Sequence, residues 1–330
     1  MSEKEYQLVE KPFLNRLVQI GWQVIDQKAI QSTGGKTNVA TSLRTDYKQV
    51  TLKDTFKKAV HAINQIDGQS WLKDAQLEEL YRNITATEKG NQSLYEANKA
   101  VFNKILIGDQ VDKNELIGQK NVTVKLIDFD NWQANSFIAI NQFQIDTPLN
   151  VRKQIIPDIV LFVNGLPLIV VECKAVDVAS PLSAGIDQIK RYENQRNGED
   201  PTLTEGEERL FHYNLLSIVT HGEEARFGTI SGNYEYYYNW KDVFPESYKT
   251  FDIKQYSDEE KQTFQSSGKT LRSLRKTPEV RQNVAIQGLL NHEILIDVLQ
   301  HFSIFLEDEN TSAKIVSRYQ QYRAAGKIIE

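Results

Sequence analysis

One segment, residues 157–174, constrains the fold of this chain more than any other. Two runs rich in β-branched and apolar residues flank Asn164-Gly165, a dipeptide typical of the tight turn between antiparallel strands. The runs are apolar almost throughout, which is typical of strands covered on both faces. The few polar side chains stand at the ends far from the turn, and a hairpin brings those ends together. The sequence therefore predicts a buried hairpin with polar groups gathered at its open end.

The polar residues at that open end are Asp158, Glu172 and Lys174. Glu172 and Lys174 are two apart on one strand, so their side chains share a face. A two-residue turn with unbroken pairing sets Asp158 opposite Val171, on the other face. A three-residue loop with a bulge sets Asp158 opposite Val170 or Glu172, and all three side chains then share a face. We therefore predict an odd-count loop or a bulge; an unbroken two-residue hairpin would count against the site.

These residue types suit the chemistry of phosphate esters. Two carboxylates bind a hard cation such as magnesium, and a lysine beside it can orient water or offset charge. The carbonyl of Cys173 is a possible further ligand, with the thiol toward the core. The structural alternative is that strand ends commonly carry charges, and a bare D-x(13)-E-x-K pattern is usually of that kind. Charge at the end of so apolar a hairpin is costly without a purpose, which favours a site.

Two helices supply further candidates. Gln188 and Tyr192 lie four apart, on one face of the helix that follows the hairpin, where they either hold a nucleotide or the lysine, or form a solvated face. Glu10 lies on the first predicted helix. It either enters the site as an added carboxylate or is exposed, and the residues alone favour exposure.

Hydrophobic periodicity predicts the other elements. Predicted helices span 5–20, 52–66, 72–84, 93–107, 182–196, 258–265, 270–287, 291–305 and 311–327. Predicted strands span 22–25, 122–127, 137–140, 155–163, 166–174, 214–220 and 225–230. Residues 27–48 are predicted to form a long loop, and 234–238 either a strand or an aromatic loop. The polar stretch 244–258 is the best candidate for a domain boundary.

Composition limits the classes of function. The chain has 330 residues, enough for about two domains, and a net charge of −5, which does not indicate indiscriminate nucleic-acid binding. Its one cysteine, Cys173, fits a reducing compartment and excludes a disulfide within the chain. The charged start leads to no apolar signal segment, and no apolar run is long enough to span a membrane. We expect a cytoplasmic protein with no membrane partner.

The chain resembles the N-terminal nuclease region of the restriction (R) subunit of type I restriction–modification enzymes, in the PD-(D/E)xK nuclease superfamily. The resemblance covers most of the 330 residues. It is carried by Glu10 with Gly21-Trp22, Thr45-Asp46-Tyr47, Leu52-Lys53, Asn135-Ser136-Phe137, Asn141-Gln142-Phe143, Pro157-Asp158, Glu172-Cys173-Lys174, Gln188–Tyr192, Gly228-Thr229, Trp240-Lys241 and Arg318–Tyr322.

The resemblance implies an α/β fold with a restriction-endonuclease-like core, in which a mixed central sheet is flanked by helices. It implies an endonuclease domain over 1–250, with a helical block at 50–110 inserted before the core strands. A helical segment at 251–330 would then lead to a helicase motor that this chain does not include. The implied catalytic residues are Asp158, Glu172, Lys174, Gln188 and Tyr192. The implied metal-binding residues are Asp158, Glu172, Cys173 and Glu10.

The implied activity is Mg²⁺-dependent hydrolysis of double-stranded DNA, with Mn²⁺ as a possible substitute, by a type I site-specific deoxyribonuclease. ATP would serve only the full-length subunit. The implied partners are double-stranded DNA and the methyltransferase and specificity subunits of the type I complex. The alternative is a non-catalytic docking or DNA-binding module, with vestigial carboxylates, that couples the motor to the methyltransferase core.

Overall fold

The computed structural model describes the chain in segments. These are residues 3–35, 37–89, 92–112, 114, 116–118, 120–148, 152–175, 177–195, 205–222, 224–241, 243, 278–308 and 311–329. The predicted helix at 258–265, the start of the predicted helix at 270–287 and all of the predicted boundary at 244–258 lie outside them. The division of the chain at residue 250 stays a prediction.

The helices and strands below are numbered in chain order. The α-helices are α1 Glu3–Glu5, α2 Lys11–Gln19, α3 Gln27–Ser32, α4 Lys53–Ile63, α5 Asp74–Ile84, α6 Leu94–Ile107, α7 Pro181–Tyr192, α8 Pro278–Leu289, α9 His292–His301 and α10 Tyr319–Ile329. The strands are β1 Gln23–Ile25, β2 Gln65–Ile66, β3 Gln69–Ser70, β4 Asp109–Val111, β5 Val122–Val124, β6 Phe137–Asn141, β7 Ile145–Asp146, β8 Gln154–Ile155, β9 Ile159–Val163, β10 Leu166–Cys173, β11 Leu216–Thr220, β12 Ala225–Gly228, β13 Ser303–Asp308 and β14 Thr311–Val316. None of the described helices has the length and apolar character needed to cross a bilayer.

A mixed sheet forms the centre of the molecule. Its order in the described chain is β1-β6-β9-β10-β11-β12. Two neighbouring pairs are parallel, β1 with β6 and β10 with β11, and the other pairs are antiparallel. Every residue of β6, β9, β10 and β11 is buried, as the continuous apolar runs predicted. The predicted fold class, a mixed sheet flanked by helices, is confirmed.

Helix α7 lies close against the sheet next to the hairpin. It packs on β10 and β11. A side chain at Gly185 of α7 would place its Cβ within 2.3 Å of the Val219 side chain, so only glycine permits this approach. The close packing fixes where the polar face of α7 lies relative to the end of β10.

Most predicted helices and strands are present, with three differences before residue 240. The predicted loop at 27–48 contains α3, whose first turn is capped by the Asp26 side chain accepting from the Ala29 N–H. Helix α3 is short and polar, so it has no apolar periodicity from which a helix could be predicted. The predicted strand at 155–163 is broken around Pro157, which separates β8 from β9. The segment 234–238 forms a short 3₁₀ helix, Tyr234–Tyr236, rather than a strand.

The predicted helices at 291–305 and 311–327 were wrong at their facing ends. Residues there form the antiparallel pair β13 and β14 instead. Phe305 of β13 packs edge-on against Tyr95 and Phe102 of α6. This tertiary contact, made to a helix about 200 residues earlier, supports a strand where local periodicity indicated a helix.

Candidate active site

The hairpin of β9 and β10 contains the predicted bulge. Its turn has two residues, Asn164 and Gly165, both at positive φ (49° and 78°), as a type I′ turn requires. Pairing begins at Val163 with Leu166 and then shifts between Pro167 and Ile169. A proline inside a strand is usually found at such an irregularity, so Pro167 was a signal for the bulge in the sequence.

The bulge places the Asp158 side chain on the same face of the hairpin as Glu172 and Lys174. Beyond it, Val160 pairs with Val170 and Ile159 with Val171, so the next step of this register sets Asp158 opposite Glu172. The alternative that would count against the site, an unbroken two-residue hairpin, is not what forms. The prediction of a bulge is confirmed.

The structure brings Asp158, Glu172 and Lys174 together at the open end of the hairpin. Asp158 Oδ2 accepts a hydrogen bond of 2.7 Å from the backbone N–H of Cys173. Lys174 Nζ donates to Glu172 Oε1 at 2.5 Å. All three side chains are buried, with Glu172 fully inaccessible. The Cys173 thiol is buried as well, and burial raises its pKa well above the usual range, as suits a side chain in the core.

Helix α7 holds the lysine through its polar face. Lys174 Nζ donates a second hydrogen bond, of 3.1 Å, to Gln188 Oε1. The Gln188 amide donates in turn to the Tyr192 hydroxyl at 2.6 Å, and that hydroxyl donates to the backbone carbonyl of Ile156 at 3.2 Å. Of the two open alternatives, the structure shows Gln188 in contact with the lysine, and Tyr192 supporting Gln188.

Glu10 is buried, so the exposure favoured by the residues alone was wrong. Its carboxylate accepts hydrogen bonds from Asn141 Nδ2 at 2.7 Å and from Gln142 Nε2 at 3.0 Å. Asn141 is the last residue of the buried strand β6 and Gln142 follows it, and the Gln142 backbone N–H also donates to the Asp158 carbonyl. These two amides were not predicted as site residues. Their signal was their position, polar groups at the end of an apolar strand.

The electrostatics show an excess of buried negative charge. Burial, and then the charge of Glu172, raise the pKa of Asp158 well above its usual range. Burial raises the pKa of Glu172 to about 7, although Lys174 opposes the shift. Burial and the charge of Asp158 raise the pKa of Glu10 to about 9. For Lys174, burial lowers the pKa, but the charges of Glu172 and Asp158 outweigh it and the net shift is upward. The site therefore favours uptake of positive charge.

The donor set fits a hard divalent cation. Among the described residues, nothing donates a hydrogen bond to the second Glu172 oxygen, Oε2, although that atom is buried. The described part of the chain also holds no group of three or more His, Cys, Asp or Glu side chains placed to ligate one ion. A cation there would rest on Asp158 and Glu172, with backbone and water oxygens completing the shell, as magnesium accepts. The role of the Cys173 carbonyl stays a prediction.

Comparison with known proteins gives consistent matches. Residues 2–236 match the family described as the type I restriction enzyme R protein N terminus. The type I restriction enzyme HindI endonuclease subunit of Haemophilus influenzae is 26% identical over 323 residues, which cover 98% of this chain and 26% of that protein. A protein provisionally named type I restriction enzyme MjaIXP endonuclease subunit, from Methanocaldococcus jannaschii, is 23% identical over 324 residues, covering 98% and 27%. The chain thus spans about a quarter of the length of these curated relatives.

Proposed function

The chain belongs to the family of the type I restriction enzyme R protein N terminus, and from this premise we propose that it is a Mg²⁺-dependent endonuclease domain acting on double-stranded DNA. The observation that supports this most strongly is the bulged hairpin. It places Asp158 beside Glu172 and Lys174 in a buried site, at the cost of gathering like charges. Such an arrangement is costly unless a cation and a phosphate use it.

The residues of the candidate site have different roles in the proposed hydrolysis of phosphodiester bonds. Asp158 and Glu172 would hold the cation, which when bound polarises the phosphate and makes a water molecule more acidic. The neighbouring carboxylates raise the pKa of Lys174, which favours its protonated form. It therefore serves as a donor to the attacking water or to the phosphate oxygens, rather than as a base. Gln188 and Tyr192 keep the ammonium in place.

The assembly around this domain is also part of the proposal. The matched relatives are named as endonuclease subunits of type I restriction enzymes, and they are much longer than this chain. We infer that methyltransferase and specificity subunits are partners of the full-length protein, and that ATP is used by parts of that protein outside this chain. The net charge of −5 is consistent with partners that do much of the DNA binding.

The test compares Asp158→Asn with Asp187→Asn in DNA cleavage and cation binding. Asp187 lies on the outer face of α7, where it contacts Tyr234. We expect Asp158→Asn to lower cleavage of supercoiled DNA in Mg²⁺ at least a hundredfold, in the assembled complex, while Asp187→Asn leaves it unchanged. Calorimetric titration of Mn²⁺ should show binding that Asp158→Asn weakens.

The competing function, a non-catalytic docking module, makes the opposite forecast. It requires that the complex cut DNA equally well with Asp158→Asn, and that Mn²⁺ binding be absent or unaffected. The comparison of activities is valid only if both variants have melting temperatures within a few degrees of that of the unmodified chain.

A further inference from the structure

The first helical segment is irregular at the point where it passes the site. Between α1 and α2 the chain makes a π-helical turn, Tyr6–Glu10, in which the Lys11 N–H donates to the Tyr6 carbonyl five residues earlier. In a regular α-helix, residues five apart are rotated by about 140° around the axis. The wider turn brings Glu5 and Glu10 closer to one face. Such turns often occur at functional sites.

Glu5 reaches the site directly. Its Oε2 accepts a hydrogen bond of 3.1 Å from the backbone N–H of Ala175, the residue that follows Lys174. Glu5 is half-buried, and its negative charge is among those that raise the pKa values of Asp158 and Glu172. Glu5 therefore lies at the open side of the carboxylate pair. The sequence pattern gave no indication of it.

Four acidic side chains share one ammonium at the site, an arrangement that would suit a divalent cation. The acidic side chains whose charges act on Asp158 or lie beside it are those of Glu5, Glu10 and Glu172. Lys174 occupies one oxygen of Glu172, and the buried Oε2 is left without a donor among the described residues. An unpaired, fully buried carboxylate oxygen is the kind of group that a cation satisfies.

We propose that Glu5 is a further acidic residue of this site, which acts on a bound divalent cation through the water molecules of that cation. The inference rests on the proposed function. An indirect contact follows from two observations. The described side chains offer no set of three direct ligands, and one oxygen of Glu5 is already engaged by Ala175. Magnesium keeps several waters in protein sites, and carboxylates that bind those waters tune affinity.

The test is calorimetric titration of Mn²⁺ into the 330-residue chain and its variants. Glu5→Gln keeps an acceptor for the Ala175 N–H but removes the charge. Glu3→Gln, on the same helix and in contact with Gln7, is the matched control for loss of one negative charge. We expect Glu5→Gln to weaken Mn²⁺ binding by about tenfold, and Glu3→Gln to leave it within twofold. Glu5→Asp retains the charge and should keep most of the affinity.

The outcomes separate this proposal from the one on which it rests. Equal affinity in Glu5→Gln and the unmodified chain, with binding still sensitive to Glu172→Gln, overturns the role of Glu5 alone. No Mn²⁺ binding by the unmodified chain overturns both proposals. A loss in Glu5→Asp with none in Glu5→Gln shows that the contact with Ala175, and not the charge, matters, and it also overturns the proposal.

Discussion

At the scale of single residues, Gly165 links the turn of the hairpin to the rest of the core. Its φ of 78° lies in the left-handed region. Its carbonyl accepts from the Leu52 N–H, at the start of α4, so the turn is pressed against that helix. A Cβ at this position would lie 2.5 Å from the Leu52 carbonyl oxygen and 2.7 Å from the Phe56 nitrogen. Turn geometry and close packing therefore both demand glycine here.

The free-energy costs of backbone strain and of close packing can be separated with a matched pair of glycines. Gly68 has nearly the same φ, 77°, but a Cβ there would meet nothing within 4 Å. We expect Gly68→Ala to cost about 1 kcal/mol of unfolding free energy from backbone strain alone. Gly165→Ala should cost about 3 kcal/mol, because backbone atoms must also move. Urea unfolding gives both values, and equal costs would show that α4 moves away freely.

Prediction from sequence worked at this scale where the determinants were local. Asp158, Glu172 and Lys174 lie within one hairpin, so the turn signal and the face argument were enough to bring them together. Glu10 was misjudged because its burial depends on Asn141 and Gln142, which are more than 130 residues away. Nothing in the periodicity of the first helix reports on such partners. The resemblance to a family supplied what local patterns lacked.

At the scale of elements, α7 acts as a support for the end of β10. The strand presents the ammonium of Lys174, and the helix supplies the amide and hydroxyl that hold it. The chain of contacts ends on the carbonyl of Ile156, so α7 is also tied to the segment before β9 that carries Asp158. One helix thereby sets the distance between the lysine and both carboxylates.

We expect Gln188→Ala to slow DNA cleavage by about tenfold to a hundredfold, because Lys174 loses one of the two side chains that accept its hydrogen bonds. Mn²⁺ affinity should change less than threefold, since Gln188 contacts the lysine and not the carboxylates. Cleavage rates and calorimetry on the same samples check both statements. Lys190→Gln, a change at a half-buried position on the same helix whose ammonium contacts Asn233, is the control. Equal losses of cleavage and cation binding would contradict a role confined to Lys174.

The elements that sequence analysis missed share a cause. Helix α3 is short and polar, and it depends on the Asp26 cap rather than on an apolar face. Strands β13 and β14 depend on packing against α6, including the buried Lys314, which donates to Asn98 Oδ1 and to the Asn214 carbonyl. Long periodic helices such as α4, α5 and α6 were predicted closely. Tertiary contacts decide the structure where local patterns are short.

At the scale of the whole molecule, the segment 278–308 returns to the start of the described chain. Helix α8 packs against α2 and β12. The Trp22 indole N–H donates to the Leu290 carbonyl at 2.9 Å. His292, at the start of α9, stacks on Phe137 of β6 with ring centroids 3.7 Å apart. The segment 278–308 and the first helices and strands are therefore parts of one packed structure around the central sheet.

That junction is expected to be sensitive to acid. Burial lowers the pKa of His292 to about 4, below the usual 6.5. Between these values the unfolded chain binds a proton that the folded chain does not, so stability falls as pH drops from about 6.5 toward 4. His212 contributes in the same direction, because burial also lowers its pKa to about 4. The buried acids Glu10 and Glu193, whose pKa values are raised to about 9 and about 8, act in the opposite direction.

A comparison of variants isolates the His292 contribution, because the other groups are common to both proteins. We compare how much unfolding free energy each protein loses between pH 7.5 and pH 5. The loss should be about 1 kcal/mol smaller for His292→Phe than for the unmodified chain, a value that allows for the partial exposure of His292. Phenylalanine keeps the stack on Phe137 and removes the titrating group. His301→Gln, at an exposed position on the same helix, removes a histidine without touching the stack on Phe137 and is the control. Urea unfolding at the two pH values measures these changes in unfolding free energy. Equal changes in all three proteins would mean that His292 accepts its proton without disturbing the junction.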